Sequence, residues 1–312
     1  MIKKGMDELT VAIVIIIFLI ITLLWYNHNQ IKQAEAKFPP TGKFVTIEGI
    51  KLHYISEGSG KPIVFLHGGV LTGDDFRKVI KLAVKQGYHT IAFDRPGYGY
   101  SERPKSEDAT PMVQARLLHH ALKKLGVERP MLVGHSWSGI LVLSYALSYP
   151  DNLSGMIILG GAMYKEGYPA EHGDPISKIV TTPILGDALL HMLITTPIIK
   201  GLARNILKET FTPEPVPADY YETAVALWLR PNHFKANRED VLFFAPTAVV
   251  VGENDPFGVQ AQAKRLKRDM PHAKLITLPN VAHMIPQNHP QLVMDVVHTF
   301  ISEQELTKTA TF

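Results

Sequence analysis

The chain has 312 residues, 46% hydrophobic and 20% charged, enough for one large α/β domain carrying an insertion or for two domains. The net charge is only +3 and no long Lys/Arg block occurs. That argues against a nucleic-acid partner, and Lys264-Arg265-Leu266-Lys267-Arg268 reads as the polar face of a helix. The absence of cysteine excludes disulfides, cysteine-based zinc sites and a thiol nucleophile.

The first element predicted is a membrane span. Leu9 to Tyr26 is almost wholly apolar, and about 18 helical residues cover roughly 27 Å, just enough for a bilayer core. Trp25 and Tyr26 stand where an interfacial aromatic belt would lie. An uncleaved anchor over residues 9–26 is expected, after a short segment 1–8. A buried helix is one rival and a cleaved signal another, since Ala34-Glu35-Ala36 has a small-x-small form, but it lies well beyond the apolar run. Lys3 and Lys4 place the N-terminus inside and the following domain on the extracytoplasmic side, a bias weakened by Asp7, Glu8, Lys32 and Lys37. Residues 27–42, closed by Pro39-Pro40, read as a linker.

Strands and helices then alternate. Lys43 to Ile47 and Lys51 to Ile55 form a hairpin around Glu48-Gly49. Pro62 to Leu66 is a short apolar run, as in a strand buried on both faces, and it ends in His67-Gly68-Gly69-Val70. A helix from Asp74 to Val84 precedes the strand His89 to Phe93 and the turn-rich loop Asp94-Arg95-Pro96-Gly97-Tyr98-Gly99-Tyr100-Ser101. Met112 to Leu125 has helical spacing. A strand from Met131, a helix from Trp137 and a strand from Gly155 follow. From about Tyr164 to Val241 there is helix and proline without a convincing strand. Strands resume at Thr247 to Gly252 and Leu275 to Leu278, with helices at Val259 to Met270 and from Gln291. This order implies an α/β architecture: a mostly parallel eight-stranded sheet flanked by helices. Core segments 43–163 and 242–305 enclose a helical cap at 164–241, and 306–312 is a tail.

Gly134-His135-Ser136-Trp137-Ser138-Gly139 joins a strand to a helix, the context of a nucleophile elbow. Gly134 lets backbone pass close; position 138 is Ser where the strict pattern has Gly. Ligands of open parallel sheets sit beyond the carboxyl ends of the strands, and further reactive groups lie there. Asp255 follows one strand and His283 lies in the loop after another. His283 would take the proton of Ser136, and Asp255 would orient the ring. Backbone N–H groups of Gly69 and Trp137 are the expected oxyanion hole. Glu253 is a rival acid; His289 and His272 are rivals to His283, with His289 expected at the surface. His67, His135 and Asp94 are read as structural. His119 and His120, adjacent on a helix, face different directions and make no metal site.

These residues give the chain its resemblance. From about Lys43 to Phe300 it resembles the α/β-hydrolase fold family, in the group of esterases, cofactor-free haloperoxidases, proline iminopeptidases and epoxide hydrolases. The chain order Ser, Asp, His agrees, and the resemblance implies a helical cap over the site. Ser rather than Asp as nucleophile argues against a haloalkane dehalogenase or epoxide hydrolase, and Val70 departs from the iminopeptidase pattern.

The reading is a membrane-anchored serine hydrolase acting on a small-molecule carboxylic ester through an acyl-enzyme on Ser136, with no metal or nucleotide cofactor indicated. A peptidase, a C–C bond hydrolase and a perhydrolase share the same three residues, and a non-catalytic binding protein would keep the fold. A peptidase should bind its substrate's free amine through Glu166, Glu171 or Glu222. Cap residues Ile184, Leu185, Leu189, Leu190, Met192, Leu193, Ile198 and Ile199 are expected to line a hydrophobic acyl or alkyl pocket. Nothing in the sequence sets an oligomeric state.

Overall fold

The computed structural model describes residues 2–70, 72–105, 109–161, 175–240, 250–269 and 275–309. Eight strands form one sheet: β1 (Lys43–Ile47), β2 (Ile50–Glu57), β3 (Lys61–Leu66), β4 (Tyr88–Phe93), β5 (Met131–His135), β6 (Gly155–Leu159), β7 (Val250–Gly252) and β8 (Ile276–Leu278). Their spatial order is β1-β2-β4-β3-β5-β6-β7-β8. The β1–β2 hairpin pairs antiparallel and β2 joins β4 antiparallel; every later pairing is parallel. The hairpin turns through Glu48 and Gly49, both at positive φ (51° and 81°), which suits the right-handed twist of paired strands.

Two apolar layers sandwich the sheet. On one face α3 (Pro111–Lys124) and α4 (Ser138–Ser148) pack Leu117, Leu122, Ile140 and Leu141 against Val64, Leu132 and Ile158. On the other, α2 (Arg77–Lys85) and α12 (Pro290–Thr309) bring Val79, Ile80, Val293 and Val297 onto Phe65, Val133 and Leu159. Central strands are thus buried on both faces, as their continuous apolar runs require. The helix expected at Asp74 begins as a 3-10 turn, Gly73–Phe76, capped by Thr72.

Between β6 and β7 the described residues form five helices: α5 (Pro175–Val180), α6 (Leu185–Leu193), α7 (Pro197–Phe211), α8 (Ala218–Trp228) and α9 (Pro231–Asp240). They share their own apolar cluster, with Leu190, Ile194, Leu207, Val225 and Trp228 at its centre. Both ends expected for the cap, Tyr164 and Val241, lie outside the described residues, as do Thr247 to Val249 of the predicted strand. In the C-terminal part α10 (Val259–Asp269) follows β7, and a short helix, α11 (Ile285–Asn288), precedes α12.

The N-terminal region departs from expectation at the linker. One helix, α1, runs unbroken from Ile2 to Lys37, so most of the predicted linker is helical. Gln30 to Lys37 contains helix-favouring Gln, Lys, Ala and Glu, and its side chains gain partners on the helical layer. Gln30 Oε1 accepts from Lys200, and Glu35 pairs with Arg230 at 3.3 Å. Pro39-Pro40 then ends the helix, because proline lacks the N–H that helix continuation needs.

Candidate active site

Ser136 follows β5 in a left-handed conformation, φ 52°, unusual for a residue with a side chain and a form of stored strain at reactive turns. The bend brings α4 back onto the strand it leaves. A Cβ on Gly134 would meet the Ser138 carbonyl oxygen at 2.6 Å and Val142 Cγ2 at 2.8 Å, so glycine two residues before the serine is a steric demand. Ser138 has a use of its own: its hydroxyl donates to the His67 carbonyl at 2.5 Å. The position at which the strict pattern has glycine therefore fastens the elbow to the His67–Gly69 loop.

The structure brings Ser136, His283 and Asp255 together. Ser136 Oγ lies 3.0 Å from His283 Nε2, and His283 Nδ1 lies 2.8 Å from Asp255 Oδ2. The other carboxylate oxygen accepts the Phe257 N–H at 3.0 Å, and the Phe257 ring meets the His283 ring edge-on at 4.7 Å. With Nδ1–H directed to the carboxylate, Nε2 is left to accept the serine proton. Gly160, at φ 53°, lies beneath this pair; a Cβ there would approach Asp255 Oδ2 to 3.4 Å and His283 Nδ1 to 3.6 Å.

The rivals are placed elsewhere. Glu253 accepts the Asn280 N–H at 3.2 Å. His289 is not at the surface: it is half-buried and hydrogen-bonded to Glu214, whose other oxygen accepts the Ala282 N–H at 3.2 Å. Glu214 thus reaches from the helical layer to the loop bearing His283. His272, Glu166 and Glu171 lie outside the described residues. Glu222 pairs with Lys37, both more than half exposed.

On the far side of the serine, the backbone of Gly68 lies in contact with it. A Cβ on Gly68 would sit 2.8 Å from Ser136 Cβ. The loop is clamped by groups that sequence reading missed. Arg95 donates from Nε to the His67 carbonyl and from Nη2 to the Gly68 carbonyl, both at 3.0 Å. In a trans peptide the N–H lies opposite the C=O, so holding the Gly68 oxygen turns the Gly69 N–H away from Arg95. Asn237 Nδ2 donates to the Gly69 carbonyl at 2.6 Å. Arg95 pairs with Asp240 at 2.6 Å, both fully buried, and Asp240 also accepts from Tyr98 (2.8 Å), Arg103 (2.8 Å) and Gln114 (3.1 Å). The Trp137 indole N–H donates to the Asp240 carbonyl at 2.8 Å, and its ring lies over the Arg95 guanidinium at 4.2 Å. Both residues expected to supply oxyanion donors therefore rest on one Arg95–Asp240 cluster. The only sequence hint was an arginine just past the end of β4; Asn237 and Asp240, in a helix remote in sequence, carried none.

The remaining polar residues serve the scaffold. Asp94 accepts from Gly73 N (2.8 Å), Tyr100 N (2.8 Å) and His53 Nδ1 (2.7 Å). His67 accepts the Arg95 N–H at 2.9 Å, and burial, with Arg95 beside it, holds its pKa well below the usual histidine value. His135 donates through Nε2 to the His283 carbonyl at 2.9 Å; burial and the neighbouring His283 bring its pKa down to about 3. His119 stacks on Tyr149 at 4.0 Å while His120 bonds Glu48.

The pocket expected from the apolar insertion residues is corrected. Leu190 is buried in the helical layer's own core, Ile199 only packs against it, and Ile184, Leu185, Leu193 and Ile198 face outward, 86%, 55%, 39% and 77% exposed. The apolar side chains near the site are others: Val70, one residue past Gly69, and Met284, one past His283, pack with Phe211, Val216 and Tyr220.

The sheet order, the elbow and the groups at the strand ends define an α/β hydrolase. Residues 61–181 match the α/β hydrolase fold family, and the chain has that fold. It is 28% identical over 276 residues to the uncharacterized hydrolase YugF of Bacillus subtilis (strain 168), covering 82% of this chain and 96% of that one. It is 27% identical to the 2-hydroxy-6-oxononadienedioate/2-hydroxy-6-oxononatrienedioate hydrolase of Comamonas testosteroni, over 82% of this chain and 94% of that one. Among solved structures it superposes on a thermophilic esterase from Thermogutta terrifontis with a TM-score of 0.65 and 20% identity, covering 84% of this chain and 99% of the esterase. An epoxide hydrolase mutant from Vigna radiata gives 0.69 at 20% identity, covering 84% and 98%.

Proposed function

We propose that this protein is a membrane-anchored serine hydrolase that cleaves carboxylic esters through an acyl-enzyme on Ser136. One observation carries the reading: the serine, imidazole and carboxylate form a continuous hydrogen-bonded chain, 3.0 and 2.8 Å, beside apolar side chains from both the core and the helical layer. His283 Nε2 takes the hydroxyl proton as Oγ attacks the ester carbonyl. Asp255 keeps the ring in the required tautomer and stabilises the imidazolium. The N–H groups of Gly69 and Trp137 receive the developing oxyanion, a contribution of about 3 kcal/mol for each donor. The imidazolium returns its proton to the departing alcohol. A water deprotonated by the same nitrogen then hydrolyses the acyl-enzyme and frees Ser136. The apolar surroundings favour a hydrophobic acyl group.

The almost wholly apolar, exposed residues 9–22 of α1 support the anchor, with Lys3 and Lys4 favouring an extracytoplasmic catalytic domain. A second reading, C–C bond hydrolysis, is favoured by relatives bearing that activity in their names. Their substrates are carboxylates, so such a site must offer a cation where an ester site need not. The test is hydrolysis of p-nitrophenyl esters from acetate to palmitate, beside a 2-hydroxy-6-oxo-dienoate, with fluorophosphonate labelling of Ser136. Ester turnover rising with chain length supports the ester reading. Turnover of the dienoate alone replaces it with the second, and folded protein that neither turns over nor labels is a binding protein.

A further inference from the structure

The outward-facing apolar residues Ile184, Leu185, Leu193 and Ile198 lie at or in α6 and α7, and α1 packs against α6. The apolar stretch of α1 ends at Tyr26. The next residue, Asn27, is fully buried. Its Oδ1 accepts from the Thr195 N–H at 2.8 Å and from the Thr195 hydroxyl at 2.6 Å, while its Nδ2 donates to the carbonyls of Leu23 and Met192. Because α1 is unbroken on both sides of Asn27, the layer has a fixed height on that helix. Thr195, in the bend between α6 and α7, stands level with the last turn of the apolar stretch.

The surface around that bend is apolar and open. Leu193 and Ile198 flank Thr195, and Ile198, Leu202 and Ile206, four residues apart, form one stripe along α7, exposed by 77%, 54% and 46%. Four-residue spacing keeps side chains on one face of a helix. Ile184 and Leu185 open α6, and the two helices meet at 91°. Arg204 and Lys208 on α7 and Lys178 on α5 are exposed, against one exposed acid on α7, Glu209. An exposed apolar stripe bordered by cations is how a helix lies in the headgroup–acyl boundary of an anionic bilayer.

We propose that the α6–α7 corner is a second membrane contact, seated in the same leaflet that α1 enters. The occupant of this surface is the bilayer: the stripe starts at the bend that Asn27 holds level with the end of the exposed apolar stretch of α1. Resting on the ester-hydrolase and anchor readings above, this placement sets the helical layer on the lipid surface and makes the substrate an acyl ester drawn from the membrane.

The cysteine-free chain allows single labels in the full-length protein. Ile198→Cys and Leu202→Cys, carrying an environment-sensitive fluorophore, are reconstituted in phosphatidylcholine–phosphatidylglycerol vesicles containing nitroxide lipids. Ile16→Cys in α1 and Leu147→Cys, 75% exposed on α4, are the references. Quenching at 198 and 202 as at 16, and none at 147, is expected. Quenching at 16 alone overturns the second contact and leaves the anchor standing; no quenching at 16 overturns both. A spectral shift at 198 and 202 that ignores nitroxide lipid and grows with protein density assigns the face to a second copy and overturns the proposal. In a parallel arm, Leu202→Glu/Ile206→Glu should lower turnover of vesicle-dispersed p-nitrophenyl palmitate about tenfold, with soluble p-nitrophenyl acetate unchanged. Equal losses on both overturn the lipid route. If the unsubstituted protein hydrolyses neither ester, the ester reading fails and the labels still decide the contact.

Discussion

On one side of Ser136 stand His283 and Asp255, supplied by the loops after β8 and β7. On the other stands the cluster of Arg95, Asp240, Tyr98, Arg103 and Gln114 behind the His67–Gly69 loop. The first side is spare: one imidazole between a hydroxyl and a carboxylate, with a partly exposed Phe257 against its edge. The second is saturated, its buried ion pair crossed by further hydrogen bonds to side chains and to loop carbonyls. The two sides have different tasks. An acid–base group must gain and lose a proton each cycle. Oxyanion donors work because they are already aligned and need no reorganisation as charge develops. Rigidity is therefore concentrated on the side where nothing titrates during turnover.

Removing a member of the spare side should affect rate and spare stability. Ser136→Ala is expected to lower kcat for p-nitrophenyl esters by on the order of 10⁴ or more, with its thermal midpoint unchanged and fluorophosphonate labelling abolished. Asp255→Asn should lower kcat by about 10⁴ through the wrong imidazole tautomer. A large fall in unfolding midpoint for either would blur the contrast.

Asp240→Ala should act in the opposite sense. It leaves the buried Arg95 guanidinium unpaired, and urea unfolding should show a loss of about 3–5 kcal/mol. Stability within error of the parent would show that the cluster is not the rigid side.

Acid should weaken the scaffold through its buried histidines. Burial, with His283 nearby, holds His135 at about 3 against 6.5 when exposed; burial also pushes His67 and His233 well below 6.5. The unfolded chain therefore binds these protons first, and stability present above pH 6.5 is lost as pH falls toward 3. Asp75 runs the other way. Burial raises its pKa from 3.8 to about 7, so its contribution is present below 3.8 and is lost as pH rises through 7. With three histidines against one carboxyl, thermal midpoints should fall on acidification below 6.5. His135→Gln should flatten that slope by up to about 1.4 kcal/mol per pH unit; an unchanged slope would show that His135 is not buried neutral.

The smallest effect expected is at Ser138. Ser138→Gly restores the strict elbow pattern and removes the hydroxyl bond to the His67 carbonyl. A loss of about 1 kcal/mol in urea unfolding, with kcat lowered as the Gly69 donor loosens, is expected. A more stable variant would mean that the hydroxyl ties nothing down.

The parts legible in the sequence were local or periodic. A continuous apolar run marked β3 because a strand buried on both faces has no polar side to show. Ser136 was legible because its turn needs small neighbours at fixed offsets; Asp255 and His283 stood out as reactive groups in loops after strands, and the family resemblance favoured Asp255 over Glu253. The linker was misread because the helicity of residues 30–37 is confirmed by partners more than a hundred residues away, such as Lys200 and Arg230. The outward apolar residues were misread as pocket because α5 to α7 carry apolar residues on more than one face, and periodicity does not say which face the layer buries.

Composition and spacing by themselves determined an α/β sheet, an apolar N-terminal helix and a set of candidate serine, carboxylate and imidazole groups at strand ends, since each depends on a few neighbouring residues. Only the tertiary structure decided how those groups meet and what holds their surroundings. The pairing of Arg95 with Asp240, the grip of Asn237 on Gly69 and the fastening of Asn27 to Thr195 join positions far apart in the chain. Such contacts arise from packing, and packing leaves no periodic trace.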